Sequence, residues 1–312
     1  MALGLPLRPT GLLFLRQGAR LPATNGLVMR TFSPETESAV ISLVNAYTAG
    51  WPYCRPLGPE LLAHWQTLGQ AFQPGRMLIA SRDGEPRAFA HGELGSDRYC
   101  VHLLAMVPGA IEQGVELLAA AEQQARAAGA PRLCGPFCDS GRFYGGYVLG
   151  LEPYHPHWGT DATEAFVQAG FRITQSEVLM IALRAPVSEV QTPRGYELVE
   201  TPCAPEFEAR TFRYAARHEG REVAVCGGRL YPKLRAPSEG SVGQVGPVDT
   251  DEAHRNRGLA TALVTLTLNR LWQWGAAEAL VSTGLENGPA LRAYEKCGFR
   301  RRHLVMEWGK EV

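Results

Sequence analysis

Nine residues, Arg255-Asn-Arg-Gly-Leu-Ala-Thr-Ala-Leu263, follow an apolar, strand-like stretch, Val242-Gly-Gln-Val-Gly-Pro-Val248, and open a helical pattern that runs to about Trp274. A helix start leaves several backbone N–H groups without intrahelical partners, and the aligned peptide dipoles place partial positive charge there. Such a junction suits an anion, and its width suits a pyrophosphate. Gly258 lets phosphate oxygens approach the main chain with no Cβ in the way, and Ala260 keeps the next contact small. Arg255 and Arg257 add positive charge at the mouth, and Asn256, Leu259 and Thr261 complete the loop.

A second segment, Asn287-Gly-Pro-Ala-Leu-Arg-Ala-Tyr294-Glu-Lys-Cys-Gly298-Phe299, reads as a helix from about Pro289 to Lys296 that carries a tyrosine. It ends at a C-cap glycine before another strand. In order, spacing and predicted secondary structure, the two segments together resemble the GNAT superfamily of acyl-CoA-dependent N-acyltransferases over roughly residues 242 to 308. The resemblance implies acetyl-CoA as cosubstrate and direct attack by a primary amine of a small molecule in a ternary complex. It assigns the thioester and pantetheine arm to the main chain around Pro247, Val248 and Thr250, and the pyrophosphate to Arg255, Asn256, Arg257, Gly258, Leu259, Ala260 and Thr261. Asn287 becomes a polar contact to the cofactor arm, and Tyr294 the acid that protonates the departing thiolate. Many members carry a glutamate base on the strand before the phosphate loop. Here that strand offers Gln244, an amide that takes no proton at neutral pH. Glu239, His218 and Asp249 are the nearby titratable residues, and a water chain is the other route. The missing glutamate also leaves open a non-catalytic acyl-CoA-binding sensor.

These segments need elements to position them, and the chain supplies them twice. Phe166-Val-Gln-Ala-Gly170-Phe171 lies 128 positions before Tyr294-Glu-Lys-Cys-Gly298-Phe299, and each is followed by a β-rich segment. In the first copy the pattern reads strand (27–32), helices (35–49 and 59–72), a hairpin around Asp83-Gly84, strand (99–106) and helix (111–128). The second copy reads strand (196–200), then a hairpin around Glu219-Gly220, with only a dozen residues between them. In the family that interval holds two helices which wall the acceptor site, and Pro202-Cys-Ala-Pro205 is too short and proline-rich for both. The expectation is an α/β chain of two tandem GNAT-like domains, each a mixed, mostly antiparallel sheet flanked by helices, with the first domain covering the acceptor site of the second. The divisions are a flexible extension (1–27, with Met29 as a possible start), a first domain (28–184), a linker (185–193) and an acyl-CoA-binding domain (194–312).

The first copy reads as degenerate. Aligning Gly114 with Gly258 sets Ile111 against Arg255 and Glu116 against Ala260, which removes a cation and brings a carboxylate near the phosphates. Phe166 stands where the second copy has Tyr294. The first copy is also longer, with 56 positions from Gly114 to Gly170 against 40 from Gly258 to Gly298, the excess falling in the Gly-Pro-rich stretch 135–159.

The chain's 312 residues suffice for two domains. Lysine plus arginine and aspartate plus glutamate both number 31, which removes the broad electrostatic reason to expect nucleic acid or an anionic membrane as partner. No stretch approaches the roughly 20 apolar residues of a membrane helix. Seven cysteines without a regular framework suggest reduced thiols and a cytoplasmic location. His155-Pro-His157 with Cys134 and Cys138 lacks a second ligand pair, so no metal is expected. Cys297 reads as a packing residue, and oligomeric state leaves no mark in the sequence.

Overall fold

The computed structural model describes residues 20–21, 27–50, 53, 56–68, 72–135, 160–204, 209–231 and 240–312. Their strands are β1 (Arg20–Leu21), β2 (Leu27–Thr31), β3 (Met77–Arg82), β4 (Glu85–Leu94), β5 (Tyr99–Met106), β6 (Arg132–Cys134), β7 (Arg172–Leu183), β8 (Glu197–Thr201), β9 (Arg210–His218), β10 (Arg221–Tyr231), β11 (Ser241–Thr250), β12 (Ala276–Gly284) and β13 (Arg300–Glu311). The helices are α1 (Glu37–Tyr47), α2 (Pro59–Thr67), α3 (Ile111–Ala127), α4 (Thr160–Gln168), α5 (Leu259–Gln273) and α6 (Gly288–Lys296). The extension before residue 27 and the insertion at 136–159 lie almost wholly outside the described residues.

Both hairpins turn where the sequence said. Asp83-Gly84 and Glu219-Gly220 each take two successive positive φ values (55° and 87°, 52° and 78°), which match the right-handed twist of the flanking strands. β5 is buried along its whole length, as a strand covered on both faces must be. α3 and α4 cover one face of the first half with Leu117, Leu118, Ala121, Ala165 and Phe166, while α1 and α2 cover the other with Val40, Val44, Leu62 and Trp65. In the second half α5 and α6 pack Leu263, Val264, Leu271, Leu291 and Tyr294 against one face.

All thirteen strands form a single sheet, in the order β1-β2-β3-β4-β5-β6-β13-β7-β12-β11-β10-β9-β8. The closing strands are therefore exchanged. β7, which ends the first half, pairs antiparallel with β12 of the second, and β13, which ends the second, pairs with β6 of the first. β7 and β13 pair with each other along the middle.

The exchange carries side chains across with it. Lys310 on β13 donates to Glu122 Oε2 on α3 at 2.6 Å and to the Ala169 carbonyl at 2.9 Å. The Lys310 and Arg126 hydrogen bonds hold the Glu122 carboxyl below its usual range. A carboxyl whose value is lowered by folding stabilises above its unfolded pKa, and that contribution is lost as pH falls through the folded value. We expect Lys310→Met to lower stability by about 1–2 kcal/mol at neutral pH. The difference should shrink below a pH of about 4, the ordinary glutamate range. Urea unfolding at pH 7 and pH 3 checks both statements, and an equal loss at the two pH values would refute the second.

Candidate active site

β11 and β12 are parallel and paired only from Ser241 to Gln244 against Ala276 to Leu280. Beyond Gln244 they part, while β11 stays on β10 up to the Ala224–Thr250 pair. Among the described residues, the edge of residues 245–250 that faces β12 therefore has no strand partner, and main-chain groups of Val248 and Thr250 lie along this open stretch. Local sequence explains the parting. The β10–β11 register shifts between Cys226 and Gly228, and a Cβ on Gly227 would stand 2.6 Å from the Gly246 carbonyl oxygen, so only glycine permits that approach. Arg229 Nη1 donates to the same oxygen at 2.6 Å. Pro247, which cannot donate to a ladder, sits in the displaced stretch.

The loop that follows makes one 3₁₀ turn, Glu252–His254, before the chain turns sharply through Asn256 (φ 61°) and Gly258 (φ 79°) into α5. Ala262 N–H bonds back to the Gly258 carbonyl and closes the first helical turn. The N–H groups of Leu259, Ala260 and Thr261 precede any intrahelical acceptor. No side chain caps this helix start and no acidic residue lies in its first turn. Arg255 and Arg257 are exposed beside it and each donates once to a loop carbonyl, Thr250 and Ala253 respectively, at 3.3 Å. The geometry is an open, electropositive helix start fed by a loop with two left-handed residues.

Asn287 caps α6, its Oδ1 accepting from Ala290 N–H at 3.3 Å while Nδ2 donates to Thr283 Oγ1 at 3.1 Å. One amide hydrogen is left over from this bracing role. Tyr294, on α6, is 6% exposed, with its ring edge-on to Phe299 at 5.9 Å. Cys297 packs between α5 and α6 against Thr261 and Thr265, and burial pushes its thiol up. It is a packing residue, and burial likewise raises Cys226 to about 12.

Two of the candidate bases named from sequence, His218 and Asp249, lie among the described residues, and each makes a local hydrogen bond. His218 Nδ1 donates to the Gly195 carbonyl at 2.8 Å, and its ring lies against Tyr196 and His254. Asp249 Oδ1 accepts from the adjacent Thr250 N–H at 2.8 Å. Glu239, His155, His157 and Cys138 lie outside the described residues. Among the described residues no group of three or more His, Cys, Asp or Glu could hold a metal ion, the five cysteines are free thiols, and no helix is long and apolar enough to cross a membrane.

The sheet face opposite α5 is covered from the other half of the chain. Tyr53, between α1 and α2, is 1% exposed and packs with Leu179, Ile181, Tyr231, Val242, Leu280 and Val305. Its hydroxyl donates to Glu278 Oε2 at 3.0 Å. Tyr231 donates to Gln244 Oε1 at 3.3 Å on this same face. β8 and β9 are separated by only eight positions, with no helix among the described ones. Tyr53 is one of the aromatics that the sequence offers for an acceptor pocket, and two residues escaped the sequence reading here: Glu278 and Glu177, the latter accepting from Ser282 Oγ at 2.6 Å. Their signal is a long-range strand and loop exchange that no local pattern carries.

The first copy requires a correction. Gly114 is not the counterpart of Gly258: α3 starts at Ile111 after Ala110, so Gly114 lies one turn inside the helix. Its role is close packing, since a Cβ there would meet Met106 Cε at 2.6 Å and Ala165 Cβ at 3.1 Å. Matching the two helix starts sets Val107 and Gly109 against Arg255 and Arg257, and Glu112, not Glu116, against Ala260. Both cations are absent, and Gly109 N–H already donates to Asp161 Oδ2 at 2.9 Å. The opposite face of this half is filled by Trp65, His91 and His102, with His102 Nε2 2.8 Å from Glu93 Oε2. Phe166 is fully buried and stacks on Trp308.

Residues 179–299 match the acetyltransferase (GNAT) family. Mycothiol acetyltransferase of Corynebacterium aurimucosum is 33% identical over 94 residues, which is 30% of this chain and 31% of that protein's length. Two solved structures share the fold across nearly the whole chain. One is a tandem GNAT protein from the clavulanic acid biosynthesis pathway, 15% identical with a TM-score of 0.69, the similarity covering 91% of this chain and 98% of that one. The other is a GCN5-related N-acetyltransferase from Sphaerobacter thermophilus, 18% identical with a TM-score of 0.63, covering 93% and 97%.

Proposed function

We propose, from the match of residues 179–299 to the acetyltransferase (GNAT) family, that the protein transfers an acetyl group from acetyl-CoA to a primary amine of a small molecule. The observation that carries the reading is the conjunction, in the second half, of an uncapped helix start at Gly258 with a strand edge left unpaired from Val245 to Thr250. In this reading the N–H groups of Leu259, Ala260 and Thr261, with Arg255, Asn256 and Arg257 at the mouth, hold the pyrophosphate. Main-chain groups around Val248 and Thr250 take the pantetheine arm in place of a neighbouring strand, and the spare amide hydrogen of Asn287 reaches it from the other side. Acetyl-CoA brings the activated thioester. The chain orients it, keeps the amine beside its carbonyl and supplies a proton from Tyr294 to the departing sulfur.

The division of labour proposed is a first domain (28–184), a linker (185–193) and a cofactor-binding domain (194–312). The first domain binds no acyl-CoA, because Asp161 already takes the Gly109 N–H and Glu112 opposes phosphate at the helix start. It covers the sheet face opposite α5, where the acceptor is proposed to enter, with Tyr53 buried against that face. Gln244 in place of a carboxylate favours a second reading, a protein that senses acyl-CoA without turnover.

Calorimetric titration with acetyl-CoA, followed by release of free CoA thiol in the presence of primary amines, tests the proposal. We expect one equivalent to bind and thiol release to depend on amine. Two equivalents would overturn the non-binding first domain, binding without amine-dependent release would favour the sensor, and no binding would end the enzyme reading.

A further inference from the structure

The acyl-transfer reading lacks a base, and the exchange of closing strands supplies a carboxylate where one is needed. We infer that Glu177, on the strand contributed by the first half, is the general base for acetyl transfer in the second. This inference rests on the proposed acyltransferase activity.

The argument is geometric. Glu177 on β7 is the Cα partner of Gly284 on β12 and of Val305 on β13. It thus sits past the point where β11 and β12 part, at Gln244 and Leu280. Its face is that of Leu179, Ile181 and Val305, the face that Tyr53 covers and that α5 does not. The carboxylate is half-buried and held: Ser282 Oγ donates to Oε2 at 2.6 Å and Gln175 Nε2 to Oε1 at 3.4 Å. Each oxygen keeps a further lone pair for an amine. Two of the neighbouring carboxylates, Glu278 and Glu307, are engaged elsewhere. Glu278 lies back in the paired part of the ladder, 2% exposed and bound to Tyr53. Glu307 on β13 accepts from Thr174. His303 on β13 is the partner of Leu179, two residues further along β7. Glu286 is exposed on the loop beyond β12, its Oε1 packed over Gly284, and adds negative charge that favours a cationic acceptor.

In the step proposed, the Glu177 carboxylate receives one proton from the acceptor ammonium. The neutral nitrogen attacks the thioester carbonyl, so a C–N bond forms. Collapse of the tetrahedral adduct breaks the C–S bond. The departing thiolate takes the phenolic proton of Tyr294, which is made good by the second proton of the nitrogen. Glu177 then returns its proton to solvent, so the products are the amide, free CoA thiol and one proton.

The test is the pH dependence of kcat/KM in the full chain, for wild type, Glu177→Gln and Glu177→Asp, with a panel of an aminoglycoside, a polyamine, an amino sugar and free amino acids. Acetyl-CoA affinity is measured in parallel by calorimetry. Glu177→Gln should bind acetyl-CoA within twofold of wild type yet lose about 100-fold in kcat/KM. Its profile should lose the acidic limb of the wild type, whereas Glu177→Asp should be slower but keep that limb. A Glu177→Gln protein within threefold of wild type with its acidic limb intact would overturn the role of Glu177 and leave the acyltransferase standing. Wild type that binds acetyl-CoA and acetylates none of the panel would overturn both. If Glu177→Gln fails to fold, a Glu177→Asp profile without the acidic limb overturns the assignment by itself.

Discussion

Gly258→Glu is expected to weaken acetyl-CoA binding by more than about 100-fold, the equivalent of roughly 2.7 kcal/mol, while the protein stays folded. Two effects act together. Gly258 holds φ at 79°, where an L-residue is strained by roughly 1–2 kcal/mol. A carboxylate there also faces the anion for which the uncapped helix start is shaped, so attraction at that position becomes repulsion. The described protein leaves room for the side chain, since none of the described residues beyond its chain neighbours lies within 4 Å of a Cβ built on Gly258. The loss should therefore fall on ligand binding more than on the fold. Gly258→Ala separates the two effects, because it carries the backbone strain without the charge, and it should weaken binding by less than tenfold. Calorimetry with acetyl-CoA and a thermal melt of both variants measure this. Binding by Gly258→Glu within threefold of wild type would move the pyrophosphate site elsewhere.

Tyr294→Phe is expected to lower kcat by about 10²- to 10⁴-fold, the range for loss of a positioned general acid, with little change in acetyl-CoA affinity. The ring is buried in the second core and packs edge-on to Phe299, so phenylalanine keeps the packing and removes only the hydroxyl. The first copy already carries Phe166 at the matching place, buried against Phe171 and Trp308, so the fold accepts an unhydroxylated ring there. A pre-steady-state burst distinguishes loss of chemistry from slow product release. Retention of kcat within threefold would exclude Tyr294 as the acid. Equal weakening of kcat and cofactor binding would make it a packing residue.

What could be read in the chain was local. The loop and helix start from Arg255 to Leu263 announce themselves through residue types a few positions apart, and both hairpins through Asp-Gly and Glu-Gly at positions that need positive φ. The capping asparagine, the tyrosine and the terminal glycine of α6 lie within one contiguous segment. The rest was not legible because its determinants are far apart in sequence. The exchange of β7 and β13 is a choice between two equally apolar edges, and alternation along either strand is the same whichever neighbour it meets. Glu177 meets Ser282 because of that choice, so it carries no local signal. Gly114 misled for a different reason. A glycine in the first turns of a helix reads as an anion site, yet here it answers the approach of Met106 and Ala165.

The sheet order also has a consequence in time. β6 and β7 both await β13, which fills the gap between them and is the last strand of the described chain to leave the ribosome. At synthesis rates of about 5–20 residues per second, the more than 100 residues between the end of β7 and the start of β13 impose a delay of several seconds. During it two strand edges carry unpaired N–H and C=O groups, the kind that invite pairing with another chain. Arg132 at the start of β6, and Arg172 with Gln175 on the exposed first stretch of β7, lie along those waiting edges. Charge and polarity there are of the kind that deters mispairing of a waiting edge, while in the finished fold Arg132 pairs with Asp97 and Gln175 donates to Glu177.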